Sequence, residues 1–284
     1  MKVERIEALP LTKEQTLEYA RIVVKQKLGK SAVKVSYMGG GSFGRAVSVQ
    51  CNDGQKLVVK FLRAKDMMEK EAHDLKLLAE YSTVRLPAVL FTRHSDENIP
   101  VDCYGMEQIE GKTSLFALGM LLISKKRRKE FADKVTTALH AIHSCKNNKF
   151  GDTMNADCDS WLDYYRPFAA EVLRKAEEYF AAGKLEEKII FAMRAAWKKF
   201  DIIFSEEVKD ACLIHGDLNV GNIMVRQSDG KAFLLARNVY QKIWGKPLLY
   251  AKTCLLRALE RSLLLYQIGC SGKSYHESAR KEYE

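Results

Sequence analysis

The sequence predicts an α+β fold of two lobes, a small and mostly antiparallel sheet over residues 1–110 and a larger helical lobe over 111–284. Two observations predict it. Up to about Gly111, short β-branched and aromatic runs alternate with turns that contain glycine. Beyond it, apolar residues recur at three- and four-residue spacing over long stretches. Hydrophobic residues make up 47% of the chain, enough for a packed core rather than disorder.

The elements follow in order. LTKEQTLEYARIVVKQKLG sets Thr12 and Gln15 at capping-box spacing, continues with helical periodicity and stops at Gly29. A helix is expected over 12–28. VKVSYMGGGSFGRAVSVQC and KLVVKFLR are β-rich and joined by an Asn52-Asp53-Gly54 turn. A helix is expected over 65–80, and strands in VRLPAVLFTRH and DCYGMEQIE. Helical spacing then covers 114–145, 159–183 and 185–204. Near residue 213 the chain turns strand-like, an Asp229-Gly230 turn leads into AFLLA, and 247–268 reads as one more helix. There is no internal repeat and no low-complexity linker.

Charge and cysteine usage narrow the function classes. The net charge is +10, but Lys and Arg are spread along the chain and the densest run, KKRRK at 125–129, reads as a solvated helix face. Nucleic acid is therefore not the expected partner; a positive field around a phosphate cleft explains the balance as well. No run of about 18 apolar residues occurs, so no membrane span is expected. The N-terminus lacks the apolar core of a signal peptide. The seven cysteines are dispersed, with no CxxC pair and no zinc spacing, which fits reduced thiols in a cytoplasm.

One stretch carries polar chemistry between apolar ends: LIHGDLNVGNIMV, from Leu213 to Val225. Burying such groups without partners is costly, and phosphoryl transfer supplies a reason to hold them. That reaction needs phosphates held, charge neutralised and an acceptor hydroxyl set near a base. Gly39, Gly40, Gly41, Ser42, Phe43 and Gly44 lie between two strand-like runs, where glycines let backbone N–H groups approach phosphate oxygens. Lys60 ends the alternating KLVVK run and can meet the α- and β-phosphates; alone it reads equally as a strand-end surface lysine. Glu71, eleven residues on, is its expected ion-pair partner, although a helix carrying Glu69, Glu71 and Asp74 reads equally as one with a solvated acidic face. Met106-Glu107-Gln108-Ile109 follows the next strand, and backbone groups of Glu107 and Ile109 can meet the edge of a nucleotide base. Asp217 can accept the proton of the acceptor hydroxyl, and Asn222 can ligate Mg²⁺ through its amide oxygen. His215 is expected to support the loop rather than react.

HGDLNVGN resembles the HGDxxxxN catalytic loop of the aminoglycoside phosphotransferase, choline kinase and fructosamine kinase superfamily, small-molecule relatives of protein kinases. GGGSFG, Lys60, Glu71, MEQIEG, LHAIH and HGDLNVGN appear in that superfamily's order over about 36–225. WLDYY at 161–165 and IWGKP ending at Pro247 look most like the fructosamine kinase branch. The resemblance implies a protein-kinase-like fold, ATP or GTP with Mg²⁺ as cofactors, and transfer of the γ-phosphate to a hydroxyl of a small molecule. It makes His143 structural. It puts the acceptor near the helices of 159–204, whose Asp159, Asp163, Glu171, Glu177 and Glu178 would suit a cationic or polyhydroxylated molecule, although a solvated helix face looks the same.

The resemblance also implies a second acid, ending the strand after the Asp229-Gly230 turn, that binds the Mg²⁺ bridging the β- and γ-phosphates. Here that run reads Phe233-Leu234-Leu235-Ala236-Arg237-Asn238, with Ala236 at the acid's position. No Asp or Glu occurs from Lys231 to Arg257, so no shift of register restores a carboxylate. The same span carries Lys231, Arg237, Lys242, Lys246, Lys252 and Arg257. Two readings stay open: a weakened phosphotransferase, or a pseudokinase that binds nucleotide or a partner without transfer. In the second, Arg237 would neutralise phosphate where a metal normally sits.

Overall fold

The computed structural model describes residues 11–41, 44–62, 67–113, 124–216, 218, 222–226, 232–234 and 240–241. Helix α1 (Lys13–Leu28) begins with the expected capping box: the Thr12 hydroxyl accepts from the Gln15 N–H at 3.1 Å, and the Gln15 side chain accepts from the Thr12 N–H at 2.9 Å. Strands β1 (Ala32–Gly41), β2 (Gly44–Cys51), β3 (Lys56–Leu62), β4 (Val89–Arg93) and β5 (Cys103–Glu107) form one antiparallel sheet in the order β1-β2-β3-β5-β4. Helix α2 (Met67–Tyr81) connects β3 to β4.

Period-two alternation sorts the faces of this sheet. Leu57, Val59 and Phe61 of β3 and Cys103 of β5 pack with Val47, Val49 and Ala20, Val23 and Val24 of α1. The intervening positions face the other way. Leu62 and Tyr104 pack with Met68, Leu75 and Leu78 of α2, and with Ala138, Ile142, Leu213 and Ile223 from the helical lobe. The parity therefore turns Lys60 toward α2, and Tyr104 lies directly opposite it on β5.

The second lobe runs β6 (Lys112–Thr113), α3 (Lys125–His143), β7 (Lys146–Asn147), β8 (Phe150–Gly151), β9 (Ala156–Cys158), α4 (Trp161–Ala181), α5 (Glu187–Lys198), α6 (Phe200–Ile203), β10 (Ala211–Ile214), β11 (Ile223–Val225), β12 (Ala232–Leu234) and β13 (Tyr240–Gln241). Short antiparallel strips β13-β10-β7 and β12-β11-β6 frame the HGDLNVGN loop, and β8-β9 is a hairpin. The architecture is the expected two-lobed α+β fold.

Some boundaries differ from expectation. The helix expected over 114–145 is described from Lys125, capped by Ser124; residues 114–123 lie outside the described part, as does the helix expected over 247–268. The helix expected over 185–204 breaks at Lys199. Packing decides this. Phe200 and Phe204 turn into a cluster with Trp161 and Tyr165, whose rings stack at 4.6 Å, and this burial outweighs a continuous helical repeat. Helix α4 sits inside the expected 159–183, capped by a Ser160–Asp163 capping box. Strands β6 to β9 were not expected, because two or three residues carry no readable alternation. Among the described residues no helix is long and apolar enough to cross a membrane.

Candidate active site

Lys60 and Glu71 are joined. The ammonium lies 2.5 Å from Glu71 Oε2, with only 16% and 8% of the two side chains exposed. The Tyr104 hydroxyl donates to the same carboxylate oxygen at 2.9 Å, and the Tyr104 ring lies 5.9 Å from the Lys60 nitrogen. A buried ion pair is weak evidence of stabilisation, since desolvation offsets most of the attraction. Sequence reasoning anticipated the Lys60–Glu71 ion pair but not the Tyr104 contact. The signal was available: a tyrosine paired with the lysine across an antiparallel register shares its face.

The glycine run forms the end of the β1–β2 hairpin. Gly41 pairs with Gly44, Gly40 with Arg45 and Gly39 with Ala46, after a register shift between Tyr37 and Gly39. Gly39 has φ +115°, a conformation closed to side chains, so the bulge requires glycine there. Gly44 is constrained by space instead: a Cβ would lie 2.5 Å from the Phe61 carbonyl oxygen of β3. Gly44→Ala is therefore expected to push β2 from β3 and lower unfolding stability by about 1–3 kcal/mol, seen as a lower urea midpoint at unchanged slope. Ser42 and Phe43 lie outside the described residues.

The 107–109 segment leaves the sheet where its hydrogen bonding changes. The Gln108 N–H reaches the Lys56 carbonyl at 3.3 Å across the Leu57–Glu107 pair, so Glu107 turns its own backbone groups away from β3. Its N–H donates to the Ala88 carbonyl at 2.8 Å. The Gln108 side chain is held by the Ser48 hydroxyl at 2.7 Å, and the Glu107 carboxylate pairs with Arg85. Ile109 follows as half-buried, non-strand chain.

The HGDLNVGN loop is anchored at both ends. β10 is buried throughout, and His215 and Asn222 are each 1% exposed. Both residues make interactions within the fold. Gly216 makes the turn with φ +76°. Ile214 pairs with Tyr240 and Ile223 with Leu234, so the chain on either side of position 236 meets both ends of this loop. Leu213 and Ile223, at the loop's two ends, share a hydrophobic cluster with Tyr104 and Met68. Asp217 lies outside the described residues, as do Ala236 and Arg237.

With this geometry in place, the comparisons with known proteins are specific. The model of the phosphotransferase enzyme family matches residues 36–234. The chain belongs to that family. No curated protein resembles it closely enough in sequence to count as a match. Among solved structures, a candidate fructosamine-3-kinase from Thermobifida fusca aligns with TM-score 0.53 at 18% identity, covering 86% of this chain and 82% of that one. A thermostable variant of aminoglycoside phosphotransferase APH(4)-Ia, in complex with ADP and hygromycin B, aligns with TM-score 0.57 at 15% identity, covering 86% and 79%. The streptomycin–ATP complex of APH(2″)-IIa aligns with TM-score 0.52 at 14% identity, covering 96% of each chain. At these identities the likeness shows the fold alone.

The carboxylate that the family resemblance implies for Mg²⁺ is missing from this sequence. A hard cation asks for anionic oxygens. Asn222 brings a neutral amide, and the sequence has no carboxylate from Lys231 to Arg257. Among the described residues no group of three His, Cys, Asp or Glu side chains could hold a metal.

Proposed function

We propose that this chain holds a nucleoside triphosphate, ATP or GTP, and moves its γ-phosphate to a hydroxyl of a small molecule of aminoglycoside-, choline- or fructosamine-like chemistry. The buried Lys60–Glu71 pair carries this reading. It fixes one cation beside the glycine hairpin, where the α- and β-phosphates would lie, with N–H groups of residues 39–43 completing the cradle. The Glu107 carbonyl and the Ile109 N–H meet the base edge. Asp217 takes the proton of the acceptor hydroxyl as its oxygen bonds to the γ-phosphorus and the bond to the bridging oxygen breaks, releasing the diphosphate. Asn222, at the loop's far end, would hold Mg²⁺ through its amide oxygen. The lobe boundary falls at 110–111, with the acceptor bound against the helical lobe. Relatives of this fold captured with ADP and hygromycin B, or ATP and streptomycin, support the assignment of both ligand classes. A reducing cytoplasm suits the five described cysteines, all free thiols.

The missing acid favours a second reading, in which the nucleotide is bound and not turned over. A thermal-shift titration with ATP, with and without Mg²⁺, separates the two. A ligand confined to the folded state adds about 2.7 kcal/mol at a hundredfold excess over Kd. Stabilisation that Mg²⁺ increases, even modestly, is the result expected of a phosphotransferase weakened by the missing acid and would direct a screen of sugar, amine and antibiotic acceptors. Stabilisation indifferent to Mg²⁺ would establish binding without metal chemistry. No stabilisation would reject nucleotide binding.

A further inference from the structure

Helix α2 touches more than the sheet. Beside Glu71 it carries Lys70 and Asp74, and Asp74 is buried to 2% exposure. At 100° per residue Asp74 sits about 40° from Lys70 and about 60° from Glu71, on the arc between them. The Thr153 hydroxyl donates to Asp74 Oδ1, and the Lys70 ammonium lies 3.1 Å from Oδ2. The same ammonium reaches Asp152 Oδ2 at 2.9 Å and Oδ1 at 3.0 Å, and the Thr153 hydroxyl at 3.4 Å. Burial raises the Asp74 carboxyl above its ordinary range, against the pull of Lys70 and Thr153. Burial lowers Lys70, but Asp74 and Asp152 outweigh it and hold the ammonium above its ordinary value.

Asp152 and Thr153 belong to the turn between β8 and β9, in the helical lobe. That turn is itself fixed: the Met154 N–H donates to Asp152 Oδ1 and the Asn155 N–H to the Asp152 carbonyl, both at 3.1 Å. It follows β7, which pairs with β10, the strand leading into His215. So α2 is gripped twice, by the sheet through Glu71 and by the catalytic-loop scaffold through Lys70 and Asp74. Apolar packing alone would let a helix rotate or slide; a buried polar pairing has one register.

We propose that Asp74 is a positioning residue for the phosphate site: with Thr153 and Lys70 it fixes the rotation of α2, and thereby holds Glu71 and Lys60 in place for the nucleotide. The proposal rests on the nucleotide-binding reading above. Its test uses Thr153→Val, which keeps shape and removes the hydroxyl, and Thr153→Ser, which restores it. ATP affinity is measured by calorimetry in the full chain and again in a Lys60→Met background, with melting temperature recorded for each variant. Thr153→Val is expected to weaken ATP binding about fivefold, within the range coupling networks show. Thr153→Ser is expected to bind as the natural chain does. In the Lys60→Met background Thr153→Val should cause no further loss of affinity, although it lowers the melting temperature in both backgrounds. An equal loss in both backgrounds, or unchanged affinity in the natural one, would overturn the role and leave the network merely structural. Failure of the natural chain itself to bind ATP would overturn the nucleotide reading, and this role with it.

Discussion

Ala236→Asp is expected to turn a weak dependence on Mg²⁺ into a strong one. In the natural chain Mg²⁺ should raise ATP affinity only modestly, because Asn222 supplies a neutral amide and position 236 no carboxylate. An acid two residues beyond Leu234, itself paired with Ile223 next to Asn222, restores the carboxylate that the family resemblance implies. Metal-centred charge stabilisation is worth several kcal/mol, so Mg²⁺-dependent ATP turnover should rise on the order of a thousandfold. Turnover is read as phosphate or ADP release, with and without chelator. An unchanged rate would mean that the departure is carried by the whole basic segment from Lys231 to Arg257, not by one position.

Glu71→Ala tests the other half of the site. Removing one partner strands the Lys60 ammonium in a place where only 16% of its side chain meets water. Such a break costs about 3–5 kcal/mol of unfolding stability, far more than the intact pair contributes. The double substitution Lys60→Met with Glu71→Leu should recover most of that loss, because neither charge is then left uncompensated. It should not recover nucleotide affinity. Urea unfolding and ATP calorimetry on the same variants give both numbers. A double variant that regained ATP binding would show that the pair serves packing alone and that the phosphates are held elsewhere.

The contrast between what the sequence foretells and what it conceals follows from the range of each interaction. Thr12 and Gln15 meet within one turn of chain, so their capping box is visible in the letters. The alternation of KLVVK decides which way Lys60 points, and a helix of the expected length brings Glu71 to it. HGDLNVGN places His215 and Asn222 by spacing alone. Tyr104 is harder to see, because its partnership with Lys60 depends on the β3–β5 register. The Asp74–Thr153 contact could not be read at all. It joins residues 79 positions apart, and on the sequence Asp74 is one more acid on a helix already rich in them. The break at Lys199 was concealed for a similar reason: the aromatic cluster that draws Phe200 inward includes Trp161 and Tyr165 from another helix.

The strand order has a consequence for how the chain acquires its chemistry. The β1–β2–β3 meander closes through near neighbours and can form as soon as those residues leave the ribosome. The HGDLNVGN loop has no such independence. Its flanking strands must find Lys112 and Thr113, left behind much earlier, Lys146 and Asn147 across three intervening helices, and Tyr240 and Gln241 still to be made. Contacts this distant form slowly, since loop-closure entropy is lost before they repay it. The meander that carries Lys60 is thus expected to be the early product of synthesis, and the loop that would act on the phosphate to be ordered last. A nascent chain halted before Tyr240 would carry the lysine and its glutamate without a catalytic loop held in place to use them.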